Sequence, residues 1–287
     1  MKIDAHHHLW DLSVRPQAWM TDGMKSRIEG PYDMQAWESV ANPEGINHSI
    51  AVQTAPVADE TPELLALGEH SASLAGVVGW LDVKDPDFCD NLDTLMSLPG
   101  ANKLVGIREL AEYHPDAEWL ASPTMNNAAE ALGVANLTLD LLVLPHQIPA
   151  ATSLAESHPD VRFVLDHLAK PSLAAAALQR WARNLGALAR LDNVACKLSG
   201  YATFDLSGTP SYSKLKPAFD IVLDAFGPQR IMFGSDWPVA ELGASYATVT
   251  QIAHEFAASL SAAEQDRFWS GTALEWYPAV VVSGVSP

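Results

Sequence analysis

Short apolar runs recur along the chain, separated by Ala/Leu-rich stretches with helical spacing. The runs Ile3–His6, Ser49–Gln53, Gly76–Leu81, Leu104–Arg108, Thr138–Leu144, Arg162–Asp166, Val194–Leu198 and Arg230–Gly234 predict eight β-strands. Between them, Pro62–Ser73, Asn126–Leu132, Ile148–Ser157, Leu173–Leu191 and Pro217–Phe226 predict helices, with a last one over Tyr246–Ser259. The strands are apolar almost throughout, as parallel strands covered on both faces should be. Eight strands alternating with helices predict a single-domain α/β (β/α)8 TIM barrel spanning residues 1–287. A doubly wound sheet is the alternative, and the absence of a glycine-rich loop after the first strand weighs against it.

One stretch breaks the alternation. Residues 11–47 form a long inserted loop after the first strand, carrying Trp19, Tyr32 and Trp37 with Pro16, Pro31 and Pro43. A loop this long in a compact domain is usually functional or disordered, and its aromatic residues favour an ordered flap over the barrel mouth or a plug at its side.

The polar residues at the strand ends carry the chemistry. The first strand runs into His6-His7-His8, and alternation sends His6 and His8 to one face with His7 to the other. The other ends offer Gln53, Trp80 with Asp82, Arg108, His146, Asp166 with His167, Lys197 with Ser199, and Asp236. Barrel enzymes gather their reactive groups at these ends. Singly, each has a structural explanation: Arg108 pairing with Glu109 or Asp82, Asp166 capping a helix, Lys197 solvated at a strand end, His146 on an exposed loop. Together they are hard to explain as packing. His6, His8, His167 and Asp236 form a ligand set for one borderline divalent ion, zinc first. The same residues also suit a centre with no metal, in which Asp236 is a general base and the histidines bind an oxyanion.

The net charge of −18 argues against nucleic acid, since phosphate neutralisation needs a basic face, and it disfavours anionic membranes. Two cysteines without close spacing fit a reducing compartment, and the N-terminus lacks a secretory pattern. A cytoplasmic protein is expected, with monomer and homo-oligomer both open.

Four segments resemble the amidohydrolase superfamily, in its amidohydrolase 2 or sugar-lactonase branch, which includes enzymes acting on L-fucono- and L-rhamnonolactones. They are Ile3 to Trp10, Val164 to Pro171, Cys196 to Gly200, and Phe226 to Val239. The resemblance implies a distorted (β/α)8 barrel that hydrolyses a sugar lactone to its sugar acid. It implies Asp236, His167 and Arg108 as catalytic residues, with Asp236 handling the hydrolytic water. Trp10, Gln53, His146, Lys197 and Trp237 are the expected substrate contacts. The superfamily's metal-bridging lysine has no counterpart, since position 108 is arginine, so one metal ion or none is implied rather than two. A lactone isomerase and a metal-dependent decarboxylase are the alternative activities.

Overall fold

The structure is a computed structural model that describes residues 1–278 and 280. Eight parallel strands pair in chain order: β1 (Ile3–His7), β2 (His48–Val52), β3 (Leu74–Gly79), β4 (Leu104–Glu109), β5 (Thr138–Leu141), β6 (Phe163–Leu165), β7 (Val194–Leu198) and β8 (Ile231–Phe233). The ring closes where the Asp236 amide donates to the His6 carbonyl at 2.8 Å and the His8 amide donates to the Trp237 carbonyl at 2.7 Å. This is a (β/α)8 barrel, as the alternation predicts.

Strand residues on one face pack against the helices. On the other, Ile3, Ala5, Ile50, Val52, Ala75, Val78, Val105, Val164, Ala195 and Met232 fill the barrel interior. The helical layer comprises α1 (Asp22–Ile28), α2 (Met34–Ala41), α3 (Glu60–His70), α4 (Phe88–Met96), α5 (Pro123–Val134), α6 (Ile148–Ser157), α7 (Ala175–Leu188), α8 (Tyr212–Phe226) and α9 (Tyr246–Ala257). The short α10 (Ala262–Asp266) and α11 (Thr272–Trp276) follow. Local chemistry sets their starts. Ser122 caps α5 by accepting from the Met125 amide, with Pro123 at the first helical position, and Ser261 and Glu264 form a reciprocal capping box on α10. Ala273, Trp276 and Tyr277 join the interior cluster, so the end of α11 closes the barrel floor.

Two differences from the sequence expectation bear on the site. Residues 11–47 are not a loop alone: α2 occupies the helical layer between β1 and β2, burying Met34, Trp37 and Ala41 at helical spacing. The stretch also reaches the mouth, through Trp19 and Met24. Strand β5 ends at Leu141 rather than Leu144: the Leu142 amide still donates to the Glu109 carbonyl at 3.0 Å, but the apolar run then continues through Val143 and Leu144 as a loop. Among the described residues, no helix is long and apolar enough to cross a membrane.

Candidate active site

The site is built on an irregularity in β1. The pairing of β1 with β2 slips between Asp4 and His7, which a bulge produces. Asp4 holds it in place. Its buried carboxylate accepts from the amides of His6 (3.2 Å) and Ser235 (2.8 Å), the Ser235 hydroxyl (2.6 Å), Trp37 Nε1 (3.2 Å) and the Tyr246 hydroxyl (3.2 Å). Asp4 thereby ties β1 to the end of β8, which carries Asp236. Gly234 lets the two meet, since a Cβ there would lie 2.7 Å from His6 Cβ.

His6 and His8 turn to the site and His7 turns away, stacking on Trp37 with ring centroids 5.2 Å apart. Both His7 ring nitrogens lack a partner among the described residues. Burial, with repulsion from His8 second, lowers the His7 pKa from 6.5 to about 3. The unfolded chain therefore protonates at His7 below about pH 6.5, while the folded chain does so only near pH 3. In that window stability falls as pH falls, by up to about 1.4 kcal/mol per pH unit. His7→Phe keeps a ring against Trp37 and removes this term. Urea unfolding at pH 7 and pH 5 should show the variant gaining about 2 kcal/mol on the wild type between the two. Parallel pH profiles would exclude the effect.

His167 is placed by strained backbone. His167, Leu168, Ala169 and Lys170 all adopt left-handed conformations, with φ of 52°, 56°, 57° and 51°. None is glycine, so each costs about 1–2 kcal/mol. The turn is pinned by the Lys170 amide on the His167 carbonyl (2.7 Å) and Trp181 Nε1 on the Leu168 carbonyl (2.8 Å). Gly200 makes room for the imidazole, because a Cβ there would meet the ring at 2.7 Å. His167 Nδ1 lies 2.8 Å from the Ser199 hydroxyl. Asp236 is itself left-handed, at φ 58°, and is followed by a cis Trp237–Pro238 bond.

Three of the four expected ligands converge: His6, His167 and Asp236 each offer an atom within 4.8 Å of the others. His8 joins them, its Nε2 3.3 Å from both His6 Nε2 and Asp236 Oδ1. The His8 Nδ1 sits 2.8 Å from the Val52 carbonyl, which can only accept, so Nδ1 carries the proton. Nε2 is then the ring atom that faces Asp236 Oδ1, and the convergent nitrogen and oxygen donors suit a divalent metal. Burial lowers His6 well below the ordinary value and His167 to about 4, so both are neutral and keep their lone pairs near pH 7. Burial acts to raise Asp236, but His167, His8 and Lys170 outweigh it and hold the carboxyl below its usual range.

Directly beneath lies a buried charged layer. Lys197 Nζ pairs with Asp140, lies 3.1 Å from Asp166 Oδ1 and 3.2 Å from His6 Nδ1. Arg108 Nη1 lies 3.3 Å from Asp166 Oδ2 and 3.4 Å from His6 Nε2, and its Nη2 donates to the Gln53 carbonyl. From the floor, the Tyr277 hydroxyl donates to Asp140 at 2.8 Å. Two cations thus face two carboxylates. Burial pushes Asp140 up to about 6 despite the pull of Lys197. Burial also works on Asp166, but Lys197 and His6 hold it well below the carboxylate range.

Above the centre opens a cavity of about 260 Å³, lined in part by His8, Arg108, His167 and Asp236. The other expected contacts do not line it. Lys197 is buried in the layer below. Gln53 is buried and reaches the site through its carbonyl, its side-chain amide being unpartnered among the described residues. Trp10 is held in the β1–α1 connection, its Nε1 on the Ile28 carbonyl, and Trp237 is buried with its Nε1 on Glu241. His146 is exposed, because β5 ends before the loop that carries it. The cavity wall instead includes Trp19, Thr54, Glu112 and Lys170, which the strand ends did not single out.

The sequence matches the amidohydrolase family over residues 3–279. It is 36% identical to an L-fucono-1,5-lactonase of Burkholderia multivorans across 96% of both chains. It is 33% identical to an L-fucono-1,5-lactonase of Burkholderia ambifaria, across 85% of this chain and 83% of that one. A crystal structure of a zinc-bound amidohydrolase from Burkholderia multivorans superposes with a TM-score of 0.90, at 35% identity, covering 97% of this chain and 99% of that one. This chain belongs to the amidohydrolase family.

Proposed function

We propose that this chain hydrolyses a sugar lactone to its sugar acid, with Asp236 as the proton-transferring group. The carrying observation is the Asp236 carboxylate, held below its usual range at the base of a sugar-sized cavity beside His167, His8 and Lys170; the lactonase relatives supply the reaction class. The Oδ1 atom faces His6, His8 and His167, which leaves Oδ2 for water. Asp236 takes a proton as the water oxygen adds to the lactone carbonyl. Arg108, whose Nε–H has no partner among the described residues, lines the cavity as a source of oxyanion stabilisation. The tetrahedral adduct collapses, the ring C–O bond breaks, and Asp236 returns its proton to the departing alkoxide. The product is an open-chain hydroxy acid.

Zinc is the proposed ion, held by His6, His167 and Asp236 with His8 beside them. When bound, it supplies Lewis-acid polarisation of the carbonyl and a more acidic water. A panel of aldonolactones followed with a pH indicator tests the reading. Acid release is expected on at least one lactone, falling about 100-fold or more after chelation and returning with zinc. Release of CO2 from an aromatic carboxylate, with no lactone turnover, would favour a decarboxylase.

A further inference from the structure

The two fixed cations on the cavity wall are paired before any ligand arrives. Only Arg108 and Lys170 among its lining residues carry a permanent positive charge. Arg108 already pairs with Asp166 through Nη1 and donates Nη2 to the Gln53 carbonyl, which leaves only its Nε–H. Lys170 Nζ meets Glu112 Oε2 at 2.5 Å, joining the loop after β6 to the loop after β4 across the mouth. Glu112 is held with only 7% of its side chain exposed, while 35% of Lys170 is exposed. The left-handed turn that places His167 also ends at Lys170, so the pair is built from the same strained segment.

We infer that the Glu112–Lys170 pair is a specificity device that admits uncharged polyhydroxylated lactones and rejects lactones bearing a carboxylate. This rests on the lactonase reading and narrows its substrate class. Away from the proposed metal ligands, a ligand carboxylate in this cavity loses its water and finds both side-chain cations already paired with carboxylates. It also faces the Asp236 carboxylate, and like charges at close range are costly where water is scarce. A hydroxylated ring avoids that cost. Glu112 offers it an acceptor and Lys170 a donor, both fixed in place by their mutual contact.

The test compares an aldonolactone with the matching lactone whose terminal hydroxymethyl group is oxidised to a carboxylate. The wild type should prefer the neutral compound by about 100-fold or more in kcat/KM. Glu112→Gln keeps the shape but leaves Lys170 uncompensated, and should cut that preference at least about 10-fold, mainly through KM on the charged lactone. Adding Lys170→Met to Glu112→Gln should restore the preference. Thermal melts of each variant separate misfolding from a change of preference. Calorimetric binding of the corresponding non-hydrolysable lactams reads the same ratio without turnover. A wild type that turns over no lactone would therefore overturn the hydrolase reading, while lactam binding would still decide the charge preference. A preference in Glu112→Gln within about twofold of wild type, by turnover and by lactam binding, would overturn the inference, as would a wild type indifferent to the carboxylate.

Discussion

Asp236→Asn is expected to lower kcat about 10³-fold or more while leaving the fold intact. Asp236 Oδ1 faces His6, His8 and His167, and the carboxylate is the group proposed to take a proton from water. Asparagine has nearly the same shape but cannot. It also suits the backbone, since position 236 is left-handed at φ 58°, a conformation that asparagine tolerates better than most residues. Asp236→Ala confounds the test, because alanine at that φ adds strain of about 1 kcal/mol to the loss of chemistry. Circular dichroism and a melt within a few degrees of wild type should accompany the loss of Asp236→Asn activity. The variant also removes a proposed metal donor, so zinc content measured alongside separates lost base from lost ion. Full zinc occupancy with turnover near that of wild type would remove Asp236 from the mechanism.

The strand pattern carried the barrel because parallel strands buried on both faces leave apolar runs that turns and helices interrupt. It failed where no interruption exists. Leu141 to Leu144 is apolar throughout, so nothing marks the point where β5 stops pairing and a buried loop begins. Three residues of error moved attention from Asp140, which faces inward, to His146, which is exposed. A signal was present: a lone carboxylate between Leu139 and Leu141 needs a buried partner. The convergence of His6 and His8 was legible from alternation, although the bulge that sustains it was not. The placement of His167 was hidden for a different reason. Four left-handed residues in a row without glycine follow no local preference, and tertiary packing imposes them. Lys170 and Glu112 meet only because that turn brings two loops together.

Lys197→Met should cost about 3–5 kcal/mol of stability, which is large against the total for one domain. Lys197 is fully buried and sits between Asp140 and Asp166, with His6 Nδ1 at 3.2 Å. Removing the ammonium leaves two carboxylates facing one guanidinium. Asp166 keeps Arg108, but Asp140 keeps only the Tyr277 hydroxyl. The cost should therefore fall mainly on Asp140, and a second substitution can show it. Asp140→Asn still accepts from Tyr277 and carries no charge, so Lys197→Met with Asp140→Asn should recover most of the loss. Urea unfolding of the two single variants and the double variant gives the coupling directly. The cycle also decides what Lys197 is for. A lysine that binds substrate would, when replaced, raise KM and leave unfolding within about 0.5 kcal/mol of wild type. A lysine that holds the layer under His6 would lower stability and loosen zinc, with recovery when Asp140 is neutralised. Its position below the cavity, bonded on all sides to other side chains, favours the second outcome.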